Sequence, residues 1–372
     1  MLALVHIGSN FATQAPAGSP IRAGLADPSV TDVGYDGQFY YYIALDPAGA
    51  ACCLDAPAYR YTRIGYPLTA RVLALGIPGL VPAAMLAINL AAITAAVALL
   101  AGWLRRKGRS GWWALVYGFY PGLFQAFQAD VTEPMAYALV AAAVYALEFG
   151  GRRRLLWGGL LFGLAGLTRE TTLLFPAVYA LGSVMRARGG VLRRLAAGLG
   201  VAVLAAGPVV AYKAVLAVRF GSLGVGFKSG SEFATSPLAG LLSFHPFEAQ
   251  HWIQLVCEAV PATLVAALAI YRLARGPRGA ELAAYLVNYV VLVLLLQRSS
   301  YPNYVDSGRI QTGVILAAVL SLPVLLAATR APDTSRPAQP WAIAVVAVAC
   351  IFWLGVALPG VAAPHTFHVF KL

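Results

Sequence analysis

Long apolar runs alternate with short polar connectors along most of this chain. A run of roughly 20 apolar residues is long enough to cross the hydrocarbon core of a bilayer, about 30 Å thick, as an α-helix. The pattern predicts about ten spanning helices, at residues 78–104, 112–129, 133–149, 155–168, 171–185, 195–219, 251–273, 280–298, 309–328 and 340–359. We therefore expect an all-α, polytopic transmembrane helical bundle.

The composition excludes an ordinary soluble protein. Hydrophobic residues make up 60% of the 372 residues and charged residues only 11%, and the mean hydropathy is +0.72. The net charge of +12 is spread over short clusters and forms no continuous basic face, so we expect no nucleic-acid partner. We expect one membrane domain, residues 1–372, in which a first outer loop, 8–77, precedes the transmembrane bundle, 78–360.

The charged connectors predict which side of the membrane each loop faces. Arginine and lysine collect in every second connector, within 105–109, 152–154, 186–194, 272–278 and 330–336, and the positive-inside rule assigns these to the cytoplasm. The other connectors hold eleven of the fifteen acidic residues: Asp27, Asp32, Asp36, Asp46, Asp55, Asp130, Glu133, Glu170, Glu232, Glu248 and Asp306. A functional surface facing outward would explain this bias, and so would the simple avoidance of basic loops by acids.

The chain starts with a short apolar segment. Residues 1–7 are too few to span a bilayer, yet the loop behind them is predicted to lie outside. We therefore expect that a first helix is missing, either because the chain begins inside it or because it has been lost. The segment lacks the basic residues that open a signal peptide.

The densest polar stretch is residues 31–47 of the first outer loop. Asp36-Gly37 is typical of a helix start and Asp46-Pro47 of its end. The aromatic segment between them, about ten residues long, is predicted to lie along the outer membrane interface, with Asp36 facing a lipid-borne substrate. The alternative is a capped interfacial helix without chemistry. Further candidate substrate-binding residues in this stretch are Asp32, Tyr35 and Gln38.

Two arginines of the same loop, Arg60 and Arg63, lie on the outer side against the topological tendency. A guanidinium group presents a planar fork of donors that suits phosphate. Both residues are therefore candidates for binding an anionic headgroup, and the alternative is unspecific contact with lipid headgroups.

The apolar hairpin 155–185 lies between two basic clusters, so both of its ends are predicted on the cytoplasmic side. Each arm has only about 15 residues, or about 22 Å, so its apex should lie recessed in the membrane. Arg169 and Glu170 occupy that apex, where charged groups are costly unless they are paired or functional. The alternative to a functional site is an ion pair between these two residues.

The preceding hairpin, 112–149, carries Asp130 and Glu133 near its apex. Pro134 fits the first turn of the helix that follows. Asp130 or Thr132 therefore either caps this helix or, together with Glu133, belongs to a substrate site.

The last outer loop contributes Asp306 and Arg309, which are three residues apart and therefore either pair with each other or contact substrate. The Gly/Ser-rich loop 220–250 carries Lys228 and is predicted to be mobile enough to close over a site.

The chain contains no nucleotide-binding loop, serine nucleophile motif or zinc pattern. Carboxylates could hold a divalent cation such as Mg²⁺ or Mn²⁺, but no ligand spacing indicates one, so no cofactor is assigned.

The segment Gly34-Tyr-Asp-Gly-Gln-Phe-Tyr40 resembles the first outer loop of bacterial membrane glycosyltransferases of the GT-C superfold. More narrowly, it is similar to cell-surface glycopolymer proteins related to the phosphatidylinositol-glycan class V type mannosyltransferases. Three further motifs fit the same pattern: Arg63-Ile-Gly-Tyr-Pro67, Thr132-Glu-Pro134 and Leu167-Thr-Arg-Glu170. The resemblance covers roughly the first half of the chain.

The resemblance implies a bacterial inner-membrane enzyme that works on the extracytoplasmic face. It implies a mannose-like or pentose sugar donor on polyprenyl phosphate, a lipid or glycan acceptor, and a first-loop aspartate, here Asp36, as catalytic base. We expect an inverting transfer in which Arg169, with Arg60 or Arg63, stabilises the leaving phosphate, with Lys228 and Arg309 in reserve.

The alternative function is a transporter or flippase for lipid-linked sugars. In such a protein Arg169, Glu170 and Glu258 would line a pathway through the membrane. Against it, the sequence shows no internal repeat of the kind that many transporters carry. An assembly scaffold without activity is a third alternative.

Overall fold

The structure is a computed structural model that describes residues 2–186, 190–225, 233–275, 279–301, 303–326 and 340–362. Within these ranges the chain is helical and contains no strand, only two isolated β-bridges. Six short helices precede the bundle: α1 Leu2–Val5 before the first loop, and within that loop α2 Ser9–Ala12, α3 Pro20–Ala23, α4 Gly37–Leu45, α5 Pro57–Tyr61 and α6 Gly65–Leu73.

The remaining helices form the bundle, which follows the first loop in the chain. They are α7 Val81–Arg106, α8 Ala114–Gly118, α9 Pro121–Gln128, α10 Glu133–Phe149, α11 Arg154–Thr168, α12 Leu174–Arg186, α13 Val191–Phe220, α14 Ala239–Leu242, α15 Ala249–Ile253, α16 Val260–Arg275, α17 Ala280–Tyr289, α18 Tyr304–Ile310, α19 Thr312–Leu325 and α20 Pro340–Ala362. Two π-helical turns, Gln254–Ala259 and Val290–Leu294, interrupt the regular α-helices.

Three continuous helical segments among the described residues are long and apolar enough to cross a membrane: Pro78–Arg106, Val191–Phe220 and Ala249–Arg275. A fourth span results if Glu133–Phe149 and Gly151–Thr168, which meet at 118°, are counted together. The all-α prediction with membrane-spanning helices is confirmed, but the count of ten spans is not. Many apolar runs are shorter or broken in the structure; the predicted helix 112–129, for example, divides before Pro121, which cannot donate a backbone hydrogen bond.

The predicted hairpin 155–185 has the expected short arms. α11 has 15 residues and α12 has 13. Glycines on α11 let the neighbouring helices approach closely. At Gly163, for example, an added Cβ would lie 2.6 Å from the carbonyl oxygen of Leu204 on α13. This close packing sets the place at which the apex of the hairpin, with Arg169, meets the first loop.

The first loop forms a packed unit against the N-terminal part of α7, not a surface strip. α4 begins and ends where Asp36-Gly37 and Asp46-Pro47 predict, but all nine of its residues are buried. Its aromatic side chains share a hydrophobic cluster with residues of α7 such as Met85 and Ile88. The aromatic side chains of α4 are therefore not exposed along a membrane interface, as the sequence predicted, because protein covers them.

Candidate functional site

Asp36 lies at the start of α4, but its side chain does not cap that helix. Its Oδ1 accepts a hydrogen bond from Arg60 Nη2 at 2.9 Å, and its Oδ2 accepts one from Arg309 Nη2 at 3.0 Å. The Asp36 side chain is 25% exposed. The carboxylate is therefore held by two charge-assisted hydrogen bonds and still reaches solvent.

Gly37 explains why α4 can bring Asp36 to this position. A Cβ at residue 37 would lie only 2.1 Å from the carbonyl oxygen of Ala129. Only glycine lets the first turn of α4 press against the turn that precedes α10. That contact places Asp36 close to Glu133, the first residue of α10.

Arg60 is positioned by Asp55 as well as by Asp36. Its Nε donates to Asp55 Oδ1 at 2.8 Å and its Nη2 to Asp55 Oδ2 at 2.7 Å, which is the bidentate arrangement. The guanidinium also lies 4.5 Å from the ring centre of Phe39. Burial by itself would lower the pKa of Arg60. The carboxylates of Asp36 and Asp55 raise this pKa by more than burial lowers it, so Arg60 stays charged.

The same arginines determine the charge of Asp36. Burial by itself would raise the pKa of Asp36, but Arg60 and Arg309 outweigh burial and hold the pKa well below its usual range. Asp36 is therefore ionised at neutral pH, and as long as both ion pairs persist it is a weak base.

Arg309 joins the first loop to the bundle. Besides Asp36, its guanidinium approaches Glu133, with Nε 3.3 Å from Oε1, and it lies 5.3 Å from the ring centre of Tyr35. Asp306 accepts hydrogen bonds from the Tyr35 hydroxyl and the Asn303 amide. The predicted pairing of Asp306 with Arg309 is wrong, because each of them contacts a different residue.

Glu133 lies between two arginines. Its Oε1 is 2.9 Å from Arg169 Nη1, and its side chain is fully buried. The guanidinium groups are poorly aligned with this carboxylate, however. No hydrogen bond is formed by Glu133 Oε1, Arg169 Nε or Arg309 Nε. The capping prediction for Thr132 is wrong as well, because its side chain makes no capping hydrogen bond to α10.

These contacts form one continuous chain of alternating charges, which we call the charge chain. Its members, in order of contact, are Asp55, Arg60, Asp36, Arg309, Glu133 and Arg169. They come from the first loop, from α10, from the apex after α11 and from α18. Three positive and three negative groups leave the charge chain neutral.

Arg63 and Glu170 form a separate pair beside it. Arg63 Nε lies 3.2 Å from Glu170 Oε2, while Nη1 donates to Tyr40 and Nη2 to Tyr59. Glu170 also accepts from the hydroxyl of Thr62. Each nitrogen of Arg63 is thus engaged, and Arg63 ties the first loop to the apex of the hairpin 155–185.

The adjacent charges Arg169 and Glu170 do not pair with each other. Arg169 approaches Glu133, and Glu170 pairs with Arg63. The predicted mutual ion pair is therefore wrong. Glu258, which the transporter alternative placed on the same pathway, accepts hydrogen bonds from Ser307 and Gln311 instead.

The other candidates from the sequence have varied surroundings. Asp130 is fully buried in a left-handed turn with φ of 47°, and burial raises its pKa to about 7. Gln38 accepts from the Gly8 amide and the Tyr42 hydroxyl and so stabilises the first loop. Asp32 is exposed at the surface of that loop. Lys228 lies outside the described residues.

Sequence reasoning missed Asp55 as a member of the site. It named Asp55 only among the outward-facing acids, because a spacing of five residues to Arg60 is no helical pairing signal. No group of three or more His, Cys, Asp or Glu residues in the described part of the chain is arranged to hold a metal ion.

Comparison with known proteins identifies the family. A family model described as Glycosyltransferase family 87 matches residues 64–297, more than half of the chain. The match includes Glu133, Arg169 and Glu170 and leaves out Asp36 and Arg309. No curated protein and no solved structure matches the chain. The chain belongs to glycosyltransferase family 87, a family of GT-C type, and is a membrane glycosyltransferase.

Proposed function

We propose that this protein transfers a mannose-like or pentose sugar from a polyprenyl-phosphate donor to a lipid or glycan of the bacterial cell envelope. The transfer inverts the anomeric configuration and takes place on the extracytoplasmic face of the inner membrane. The observation that carries the proposal is the ionised, partly exposed carboxylate of Asp36, flanked by Arg60 and Arg309.

Asp36 is the general base of the proposed reaction. It accepts the proton of the acceptor hydroxyl while that oxygen attacks the anomeric carbon. A general base has to lie within hydrogen-bond reach of the proton it takes. The exposed quarter of the Asp36 side chain offers that reach, whereas the fully buried Glu133 offers none in this conformation.

Arg60 and Arg309 are the residues that stabilise the leaving phosphate. Preorganised guanidinium donors act on the charge that develops as the bond to the sugar breaks. Arg63 is a weaker candidate, because tyrosine hydroxyls and Glu170 already occupy its nitrogens. Arg169 faces Glu133 deeper in the protein, and its role is to hold that carboxylate.

The outer location follows from topology. The charge chain is built from the first loop, the start of α10, the apex of the hairpin 155–185 and α18. The charge pattern of the sequence predicts all four on the side opposite the basic connectors. The positive-inside rule places those connectors in the cytoplasm. A donor on a polyprenyl chain would reach such a site from within the membrane.

The test is the transfer of radiolabelled sugar from a panel of polyprenyl-phosphate sugars to membrane lipid and glycan acceptors. Asp36→Asn is compared with wild type and with Asp27→Asn, a carboxylate outside the charge chain that accepts hydrogen bonds from Ser29. Loss of a general base lowers the rate by about 10²- to 10⁴-fold, so Asp36→Asn should lose transfer and Asp27→Asn should keep it. Transfer by Asp36→Asn at the wild-type rate would refute the assignment of the base.

A further inference from the structure

The charge chain has no spare positive charge for a substrate. Arg60, Arg309 and Arg169 are matched by Asp55, Asp36 and Glu133, three against three. The donor of the proposed reaction is a phosphate diester and carries a negative charge of its own. The inference that follows rests on the proposed function and concerns how the site admits this donor.

An anion that enters a neutral, largely buried cluster has to replace an anion already there. Leaving an extra charge uncompensated in such surroundings is strongly unfavourable, because the charge loses its hydration. A phosphate oxygen that takes over guanidinium donors meets no such obstacle, since its geometry suits them as well as a carboxylate does. One carboxylate of the charge chain therefore has to give up its arginines.

The structure indicates which carboxylate gives way. The Glu133 side chain is 0% exposed. Asp55 is 16% exposed and holds Arg60 through both oxygens, at 2.7 and 2.8 Å. Asp36 is 25% exposed, and each of its oxygens contacts a single nitrogen of a different arginine. Asp36 is the easiest to hydrate and the easiest to release.

We propose that the donor phosphate displaces Asp36 from Arg60 and Arg309, so that donor binding itself turns Asp36 from an ion-paired carboxylate into the working base. Before displacement, two guanidiniums stabilise the charged form of Asp36 and weaken it as a base. After displacement, the phosphate holds the guanidiniums and Asp36 faces the acceptor. The donor therefore binds before the acceptor becomes reactive.

The chemical step then follows without a further reactant. The acceptor oxygen forms a bond to the anomeric carbon while its proton passes to Asp36. The bond between the anomeric carbon and the phosphate oxygen breaks, and its electron pair leaves with the polyprenyl phosphate. Arg60 and Arg309 already contact that phosphate when its charge increases.

The test measures binding, not turnover. A short-chain prenyl phosphate without a sugar is titrated against purified full-length wild type, Asp36→Asn and Asp27→Asn. If Asp36 competes with the phosphate, Asp36→Asn should bind it more tightly than wild type, by about tenfold, because two charge-assisted hydrogen bonds no longer have to be broken. Asp27→Asn, outside the charge chain, should bind as wild type does. The combination of tighter lipid-phosphate binding and lost transfer in one variant is the expected signature.

Equal or weaker binding by Asp36→Asn would overturn the inference, even if that variant has lost transfer and the proposed function stands. If no folded protein binds the prenyl phosphate at all, the inference and the proposed donor class fall together. Asp36→Ser removes the same charge and provides a second variant. Thermal unfolding of each variant verifies that a change in affinity does not reflect a change in fold.

Discussion

Replacing Arg309 by glutamine tests whether the charge chain holds the first loop against the helical bundle. Arg309 contacts Asp36 on the first loop and Glu133 on α10. Without it, Asp36 keeps its ion pair with Arg60, and Glu133 keeps a poorly aligned contact to Arg169 and a long hydrogen bond from the Thr132 hydroxyl. The variant thus leaves a fully buried carboxylate with one arginine in place of two.

The expected loss of stability follows from burial. Removing one partner of a buried ion pair costs about 3–5 kcal/mol, because the other charge remains without compensation. The Arg309 side chain is 10% exposed and Glu133 is 0% exposed, so this range applies to their contact. Glu133 retains Arg169, and the contact with Asp36 is partly screened by solvent, so we expect the low end, about 3 kcal/mol.

The measurement is a double-mutant cycle on the detergent-solubilised protein. Unfolding is followed for wild type, Arg309→Gln, Glu133→Gln and the double variant. Neighbouring charges that depend on each other couple by about 0.5–3 kcal/mol, so the double variant should lose less stability than the sum of the two single variants. Transfer activity should fall in Arg309→Gln as well, since the phosphate loses one of its guanidiniums.

Two results would refute this reasoning. Arg309→Gln could unfold within about 0.5 kcal/mol of wild type, which is the range of ordinary surface substitutions. The two single losses could also add without coupling, which would mean that Arg309 and Glu133 do not stabilise each other across the 3.3 Å contact.

Three further predictions concern backbone packing and pH. Gly37→Ala should lose transfer and stability, since its Cβ would meet the carbonyl oxygen of Ala129 at 2.1 Å. Gly200→Ala, whose Cβ would have nothing within 4 Å, should instead gain about 0.5–1 kcal/mol in unfolding measurements. Equal stabilities of the two variants would contradict this account of the packing. Gly163→Val should destabilise the contact between α11 and α13 by about 1–3 kcal/mol, measured by thermal unfolding, and an unchanged midpoint would be the contrary result. Arg60 and Arg309 lower the pKa of Asp36 in the folded protein, so the stability that Asp36 contributes is present above its unfolded pKa of about 4 and is lost only as the pH falls through the lowered value. In Arg309→Gln this loss of stability should begin at a higher pH. Identical pH profiles of unfolding for wild type and variant would speak against this prediction.

The hydrophobic pattern by itself predicted the helices whose formation depends on nearby residues. The long apolar runs became α7 and α13, and Asp36-Gly37 and Asp46-Pro47 mark the ends of α4. The short arms of the hairpin 155–185 were also predictable, because helix length follows directly from the number of apolar residues between basic clusters. The charge of each residue, together with the predicted side of the membrane, then identified most members of the charge chain as candidates.

Only the tertiary structure decided which charges meet. Arg169 and Glu170 are adjacent in the chain but have different partners, and Arg309 pairs with Asp36 across 273 positions. Likewise, only the packing of the first loop against α7 showed that α4 is buried. The physical reason is that helix formation depends on local periodicity, whereas an ion pair forms between whichever side chains the close packing of distant helices brings within about 4 Å.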